Sequence, residues 1–339
     1  MFSGVSVVIP CYNAQRSVQS CLESLSRFIS SNDDEVIIVD DGSSDQTLAI
    51  ASEYIKDKEK WQIIQNNINS GASVTRNNGA KTASKEIILF VDSDVIIVES
   101  FKSRLLDIFN EAEDIAGVQG IYDIHTPIDI FASKYKNLFY HYHHMLIAKR
   151  EVEFTSTFFF AVRKKAFFKV GLFNETIKRA SVEDGELGSD LVTQGNRIIL
   201  EKSLRVQHLA DYTFFTLMKR SFQNAAQKIR SILKKRKQLS VKYSQTEHPV
   251  NILIGIILGG CSLGALVLSL INKVFIWYFL FGVFAFFLAS INQVYYVLKN
   301  KGLYFGIKYA AYLYCDLTVS FFGLIYGLVD LVYESIIRS

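Results

Sequence analysis

The chain has 339 residues, 50% of them hydrophobic, and a formal net charge of +4. That length suits one large domain or two ordinary ones, each able to bury a core without disulfide or metal staples. The small charge argues against a nucleic-acid footprint spread over the whole molecule, and Cys11, Cys21, Cys261 and Cys315 form no C-x-x-C pair or metal-ligand spacing, reading instead as buried thiols in a reducing compartment.

The N-terminal "MFSGVSVVIPCYN" lacks a basic n-region and turns directly into a strand pattern, so no signal peptide is expected and the front half is expected in the cytosol. From there short β-branched runs alternate with helical periods. "VSVVIP" reads as a strand, and Val18, Cys21, Leu22, Leu25 and Phe28 then mark one helical face. "DEVIIVD" is a second strand before the helix "TLAIASEYIKD", "WQIIQNN" a third before "GASVTRNNGAKTA", and "EIILFVDSD" a fourth. This alternation predicts a parallel sheet wrapped by helices. Ligands in such sheets bind at the carboxyl ends of the strands, which here carry Pro10, Tyr12 and Asn13, then Asp40 and Asp41, then Asp92 and Asp94.

Asp92 and Asp94 stand one residue apart at the end of a continuous apolar run. On an extended strand both would project from one face, and two like charges held together are costly without a cation. Hard oxygen ligands suit Mg2+ or Mn2+, which bind substrate phosphates together with one or two carboxylates. The stretch from Asp129 to Glu151 is unusually aromatic and basic, with Phe131, Tyr135, Leu138, Phe139 and Tyr142 at helical spacing, as expected of a helix of about 129–150 lying on headgroups. His141, His143 and His144 are poorly spaced for a metal on a helix face.

Beyond the basic stretch 228–242, which contains Lys228, Arg230, Lys234, Lys235, Arg236, Lys237 and Lys242, apolar runs dominate. Segments 251–271 and 274–298 are each long enough to cross a hydrocarbon layer, which takes about 20 residues. A third, 309–334, is interrupted by Asp316 and Asp330. Asp316 is expensive in lipid and should face other helices or the headgroups. The basic stretch and Lys299, Lys301 and Lys308 fall on one side under the positive-inside rule. The expectation is a multi-pass protein of the cell membrane with a cytoplasmic domain over 1–225, a juxtamembrane segment over 226–249 and a transmembrane region over 250–339.

Taken together, "VSVVIPCYN", "VIIVDDGSSDQT", "NSGASVTRNNGA" and "ILFVDSD" resemble glycosyltransferase family 2 in order and spacing over about residues 4–100. The resemblance implies an α/β GT-A fold and a nucleotide-sugar donor, with a lean to a UDP-sugar. It implies that Pro10, Tyr12 and Asn13 line the base pocket, that Asp41 contacts the base, and that Gly71, Arg76 and Ser93 belong to the nucleotide-sugar site. Asp92 would reach the ribose or metal and Asp94 would bind the metal at the diphosphate. His208 would offer a last metal contact. Glu183 and Asp184 match an E-D pair whose Asp acts as general base, and Arg220 would neutralise the diphosphate in the manner of the Q-x-x-R-W arginine, although the Gln and Trp of that motif are missing here.

An inverting, metal-dependent transferase acting on a lipid-linked acceptor follows as the expectation. A hydroxyl on a lipid-linked glycan needs a base, so the E-D pair favours it over a polyprenyl phosphate. A polysaccharide synthase is disfavoured because two or three spans make a poor channel. A nucleotidyltransferase would need a Gly-rich loop that "PCYNAQRS" lacks, and a non-catalytic scaffold would need neither acidic motif. Membrane lipid is an expected partner, and association of like chains is compatible with the sequence.

Overall fold

The computed structural model describes residues 2–29, 33–176, 183–236 and 250–337. Two compact units emerge: Met1–Ile128 with His144–Ala210, and Asp129–His143 with Asp211–Ser339. In chain order the elements are β1 (Val5–Cys11), α1 (Val18–Ser26), β2 (Glu35–Asp40), α2 (Thr47–Ile55), β3 (Trp61–Gln65), α3 (Ala72–Thr82), β4 (Ile87–Val91), β5 (Val95–Ile97), α4 (Lys102–Glu111) and β6 (Ile115–Tyr122). After these come α5 (Phe131–Leu146), β7 (Glu151–Val152), β8 (Phe159–Arg163), α6 (Lys164–Lys169), α7 (Glu183–Thr193) and β9 (Arg197–His208). The remainder is helical: α8 (Phe214–Arg236), α9 (Val250–Leu268), α10 (Phe275–Ala289), α11 (Ile291–Lys301) and α12 (Leu303–Ile337).

In the first unit the strands form one sheet in the order β3-β2-β1-β4-β8-β6-β9-β5, with β7 paired to β9. The half built from β3, β2, β1 and β4 is parallel, as the alternation of strand and helix predicts. The other half is mixed: β8 runs antiparallel to both β4 and β6, whereas β6 and β9 are parallel. Val5, Val7, Val8, Val36, Ile37, Ile88 and Phe90 are fully buried, because a central strand covered on both faces carries an unbroken apolar run.

The run 88–97 is not one strand. β4 stops at Val91, the chain turns with the Val95 N–H donating to the Asp92 carbonyl at 3.3 Å, and β5 pairs with β9 at the opposite edge of the sheet. Asp92, Ser93 and Asp94 therefore occupy a turn at the carboxyl end of β4. The expectation that strand alternation sets both carboxylates on one face is corrected here, because the residues between β4 and β5 are not extended.

The second unit gathers α5 up to His143, α8 and the C-terminal helices. Val250–Leu268 and Leu303–Glu334 are long and apolar enough to cross a membrane. The segment expected as one span over 274–298 is instead α10 and α11, bent by 62° at a break around Ser290. The third segment is continuous through both of its aspartates, and α12 has 35 residues. Each aspartate meets a base from another helix: Asp316, 2% exposed, accepts from Tyr135 Oη at 2.8 Å and lies 3.3 Å from Lys136 Nζ, while Arg230 pairs with Asp330 and Glu334.

Helix α5 departs from the headgroup reading. Tyr135, Leu138, Phe139 and Tyr142 are buried, with Tyr135 against Tyr309 and Tyr312 and Tyr142 against Tyr296. Its aromatic face is taken up by α11 and α12. The basic stretch 228–242 likewise starts as part of helix α8, whose Phe222 and Ala226 carbonyls come so close to Gly323 and Gly327 that no side chain would fit there. Lys237 and Lys242 lie outside the described residues. Cys261 is exposed on α9 and Cys315 half-buried, against the expectation of four buried thiols, while Cys11 and Cys21 are buried as expected.

Candidate active site

The carboxyl ends of β1 and β2 are clasped to each other. Asn13, in the left-handed region at φ 49°, donates its N–H to Ser43 Oγ at 3.0 Å and accepts from the Ser44 N–H at 2.9 Å through Oδ1. Asparagine tolerates that backbone because its short polar side chain bonds locally. The Ala14 N–H adds a bond to Thr47 Oγ1 at 2.6 Å. Pro10 lies beyond the paired stretch of β4, so its missing N–H disturbs no ladder on that side. Tyr12 is 50% exposed on the rim, a flat ring open to a ligand.

Asp41 is buried and organises the next loop. Its Oδ1 accepts from Asn66 Nδ2 at 2.8 Å and from the Ser70 N–H at 2.9 Å, and its Oδ2 from the Gly71 N–H at 2.9 Å. Gly71 sits at φ 91°, where side chains are strained, immediately before α3. One carboxylate thus shapes the 66–71 loop from beneath. Asn66 and Ser70 were not singled out from the sequence; "NN" after a strand and "SG" before a helix are their only signals.

Arg76, expected to close around the nucleotide, is 5% exposed and lies in the acidic network of the site. Its Nη2 is 2.8 Å from Asp92 Oδ1 and its Nη1 is 3.3 Å from Glu183 Oε1. Burial alone would favour the neutral guanidine, but Asp92, Asp184 and Glu183 outweigh it and hold Arg76 cationic. Asp92 is drawn upward by burial and by Asp94, with Arg76 pulling it back. The cation that makes Asp92 tolerable in this structure is a guanidinium.

Asp94 has a separate partner. Its Oδ2 is 3.3 Å from His208 Nε2, and its carbonyl accepts from the Leu209 N–H at 2.7 Å, tying the turn to the end of β9. The Asp94 side chain is 41% exposed. A carboxylate oxygen and an imidazole nitrogen converging beside solvent can take two positions of a divalent cation and leave the rest to phosphate and water. No group of three potential protein ligands gathers anywhere among the described residues. Ser93, half-buried at the apex of the turn, hydrogen-bonds Cys11, whose thiol burial pushes up to about 12; that thiol is inert.

The E-D pair opens α7, where an acidic first turn suits the helix dipole. Residues 179–182 of the preceding stretch lie outside the described residues. Glu183 is 1% exposed. Asp184 Oδ2 accepts from the N–H and hydroxyl of Thr157 at 3.2 and 3.3 Å, and the Asp184 carbonyl accepts from Thr155 Oγ1 at 2.6 Å. Burial, with Glu183 and Asp92 adding to it, pushes Asp184 up to about 8 even though Arg76 opposes the shift. Thr155 and Thr157 were also missed in the sequence; "TST" inside the apolar "EFTSTFFF" is the signal they left.

Arg220 belongs to the second unit. It lies on α8, where its Nη1 donates to Tyr212 Oη at 2.8 Å and its guanidinium stacks over the same ring. The structure therefore brings together Pro10, Tyr12, Asn13, Asp41, Gly71, Arg76, Asp92, Ser93, Asp94, Glu183, Asp184 and His208 within the first unit, and assigns Arg220 to the other.

Residues 6–171 match the family described as Glycosyl transferase family 2. A poly(ribitol-phosphate) beta-glucosyltransferase of Bacillus spizizenii is 29% identical over 222 residues, 64% of this chain and 32% of that protein. A poly-beta-1,6-N-acetyl-D-glucosamine synthase of Staphylococcus epidermidis is 30% identical over 117 residues, 34% of this chain and 28% of that protein. The chain thus spans roughly a third of the length of such relatives. Among solved structures, the mannosyltransferase PcManGT from Pyrobaculum calidifontis, in complex with GDP-Man and Mn2+, superposes with a TM-score of 0.61 at 13% identity, covering 97% of this chain and 87% of that one. At that identity the likeness shows the fold alone. With the parallel β3-β2-β1-β4 half-sheet and the acidic turn at its carboxyl edge, residues 6–171 form a glycosyl transferase family 2 domain with a GT-A fold.

Proposed function

We propose that the chain transfers a glycosyl group from a UDP-sugar to a hydroxyl of a lipid-linked glycan, with inversion at the anomeric carbon and the transferase domain facing the cytoplasm. The observation that carries this reading is Arg76, which links Asp92 of the D-x-D turn to Glu183 beside Asp184. Donor-holding and base residues of one displacement reaction then share a single charge network.

Tyr12 and Asn13, with the loop shaped by Asp41, form the face for the nucleoside, and Asp94 with His208 faces the diphosphate. These two residues fit a divalent cation, and the imidazole nitrogen in the set is better matched to Mn2+ than to Mg2+, which demands oxygen. A bound cation would stabilise charge on the departing diphosphate. Asp184 accepts the proton of the attacking hydroxyl, which is a poor nucleophile without a base. A polyprenyl phosphate is already anionic and would leave Asp184 without a task. The apolar helices α9 and α12 supply the membrane anchor, which holds the domain beside an acceptor carried in lipid.

The test is release of nucleoside diphosphate from a panel of nucleotide sugars by the full chain in detergent with Mn2+, with lipid-linked glycan or polyprenyl phosphate as acceptor. Turnover of a UDP-sugar stimulated by the glycan supports the reading. Stimulation by the polyprenyl phosphate alone overturns the acceptor assignment, and no turnover of any nucleotide sugar overturns the activity.

A further inference from the structure

Asp184 presents its two carboxylate oxygens to different surroundings. Oδ2 faces both donors of Thr157, the N–H at 3.2 Å and the hydroxyl at 3.3 Å. Oδ1 is buried and has no hydrogen-bond partner among the described residues. An enclosed oxygen without a donor is costly, so the orientation of this carboxylate must be held by the groups that grip Oδ2.

The Thr155-Ser156-Thr157 segment that creates this asymmetry is itself held from within the sheet. Gln119, fully buried on β6, accepts from the Ser156 N–H at 2.7 Å and donates through Nε2 to the carbonyls of Gly120, Ser156 and Phe159 at 2.9, 3.1 and 3.1 Å. Thr155 and Thr157 are 1% and 2% exposed, and Thr155 bonds the Asp184 backbone carbonyl as well. Main chain and side chain of Asp184 are therefore gripped by one rigid segment.

We infer that Thr157 is the positioning residue for Asp184, fixing the carboxylate and favouring its charged form, so that it takes the proton of an acceptor hydroxyl. This rests on the reading of Asp184 as general base. In the step, the acceptor oxygen bonds to the anomeric carbon, the bond from that carbon to the diphosphate breaks with its electron pair leaving on the diphosphate, and the acceptor proton ends on the Asp184 carboxylate. The Thr157 hydroxyl also favours the charged form of Asp184, because it donates to it. The other groups facing Asp184 are Glu183 on the same helix, Arg76 on α3 and Asp92 after β4; Arg76 works in the same direction as Thr157 and the two acids work against it.

The experiment compares Thr157→Val, Thr157→Ala and Thr157→Ser with the parent in the full chain, reading kcat and donor KM across pH, with thermal melting as the check on folding. Valine keeps the N–H donor and the shape but loses the hydroxyl. It should lower kcat about tenfold, the worth of one hydrogen bond to a charged group, leave donor KM within about twofold, and move the acid limb of the kcat profile to higher pH. Serine should restore both. Should valine fold poorly, alanine carries the same expectations. A loss of kcat with the acid limb unmoved, or a serine variant no better than valine, overturns the inference. Asp184→Asn, measured alongside, separates the two levels: if it keeps full transfer, the base reading itself fails; if it is inactive while valine retains the parental profile, only the role of Thr157 fails.

Discussion

Arg76 and Asp92 meet at 2.8 Å with the Arg76 side chain 6% exposed. The same guanidinium reaches Glu183, so one cation serves two carboxylates contributed by the end of β4 and the start of α7. Removing it would leave two buried or half-buried acids facing each other. Arg76→Met should destabilise the folded chain by about 3–5 kcal/mol, the cost of breaking a buried charge pair from one side, and abolish transfer. Arg76→Lys keeps the charge but not the fork that reaches both acids, so it should recover part of the stability and little of the activity. Denaturant titration in detergent together with turnover checks both. A methionine variant as stable as the parent would show that the network is not structural.

Asp184 carries a pH signature. Burial and its acidic neighbours raise it from 3.8 to about 8, so the folded chain binds more protons there than the unfolded chain between those values, and stability falls as pH climbs through that window, levelling above about 8. Asp184→Asn removes the slope. Its melting temperature should exceed that of the parent by a margin that grows from pH 5 to pH 8.5, to a value on the order of 5 °C. Its kcat should be lower by about 10²–10⁴, a gain in stability accompanying a loss of function. In the parent, kcat should rise with pH up to about 8, since the base must be ionised. A margin that is the same at both pH values would contradict the raised carboxyl.

Asp41 acts at a distance from the chemistry. Its three accepted bonds hold Asn66, Ser70 and Gly71, and Asp41→Ala would leave two backbone N–H groups without their acceptor, each costing about 1–3 kcal/mol. The loop before α3 should loosen, raising donor KM about tenfold or more while kcat changes less, because the loop binds and does not react. Steady-state kinetics at saturating acceptor separates the two. A pure kcat effect would place Asp41 elsewhere in the reaction.

In the second unit, Lys136 and Asp316 form a buried pair completed by Tyr135. Asp316→Leu should destabilise by about 3–5 kcal/mol because Lys136 is left buried and unpaired, and the double variant Lys136→Met with Asp316→Leu should recover most of that loss. Melting in detergent of the two single variants and the double variant tests this. Strict additivity would mean the pair is not coupled.

Much of the GT-A half was legible because its signals are local: the apolar face of α1 and the strands ending in polar residues follow from periodicity. What escaped was set by partners distant in sequence. "ILFVDSDVII" reads as one strand until β9 draws Val95–Ile97 to the other edge. The Asp92 and Asp94 carboxylates look like one cation's pair until Arg76 and His208 claim one each. Helix α5 has the composition of a headgroup helix, and Asp316 looks like a break in a span, because neither half of the Tyr135–Lys136–Asp316 cluster is interpretable without the other. Thr157 was invisible for the same reason: a small polar residue in an apolar run gains meaning only when Asp184 arrives beside it.

The most direct measurement is calorimetric titration of UDP into the full chain in detergent, with Mn2+ and with EDTA, for the parent and for Asp94→Ala. If Asp94 and His208 hold a cation that meets the diphosphate, the parent binds UDP only with Mn2+ and Asp94→Ala loses that binding while melting at the parental temperature. UDP binding of equal strength in EDTA, or in Asp94→Ala with Mn2+, would contradict a metal-held nucleotide sugar at the carboxyl edge of β4.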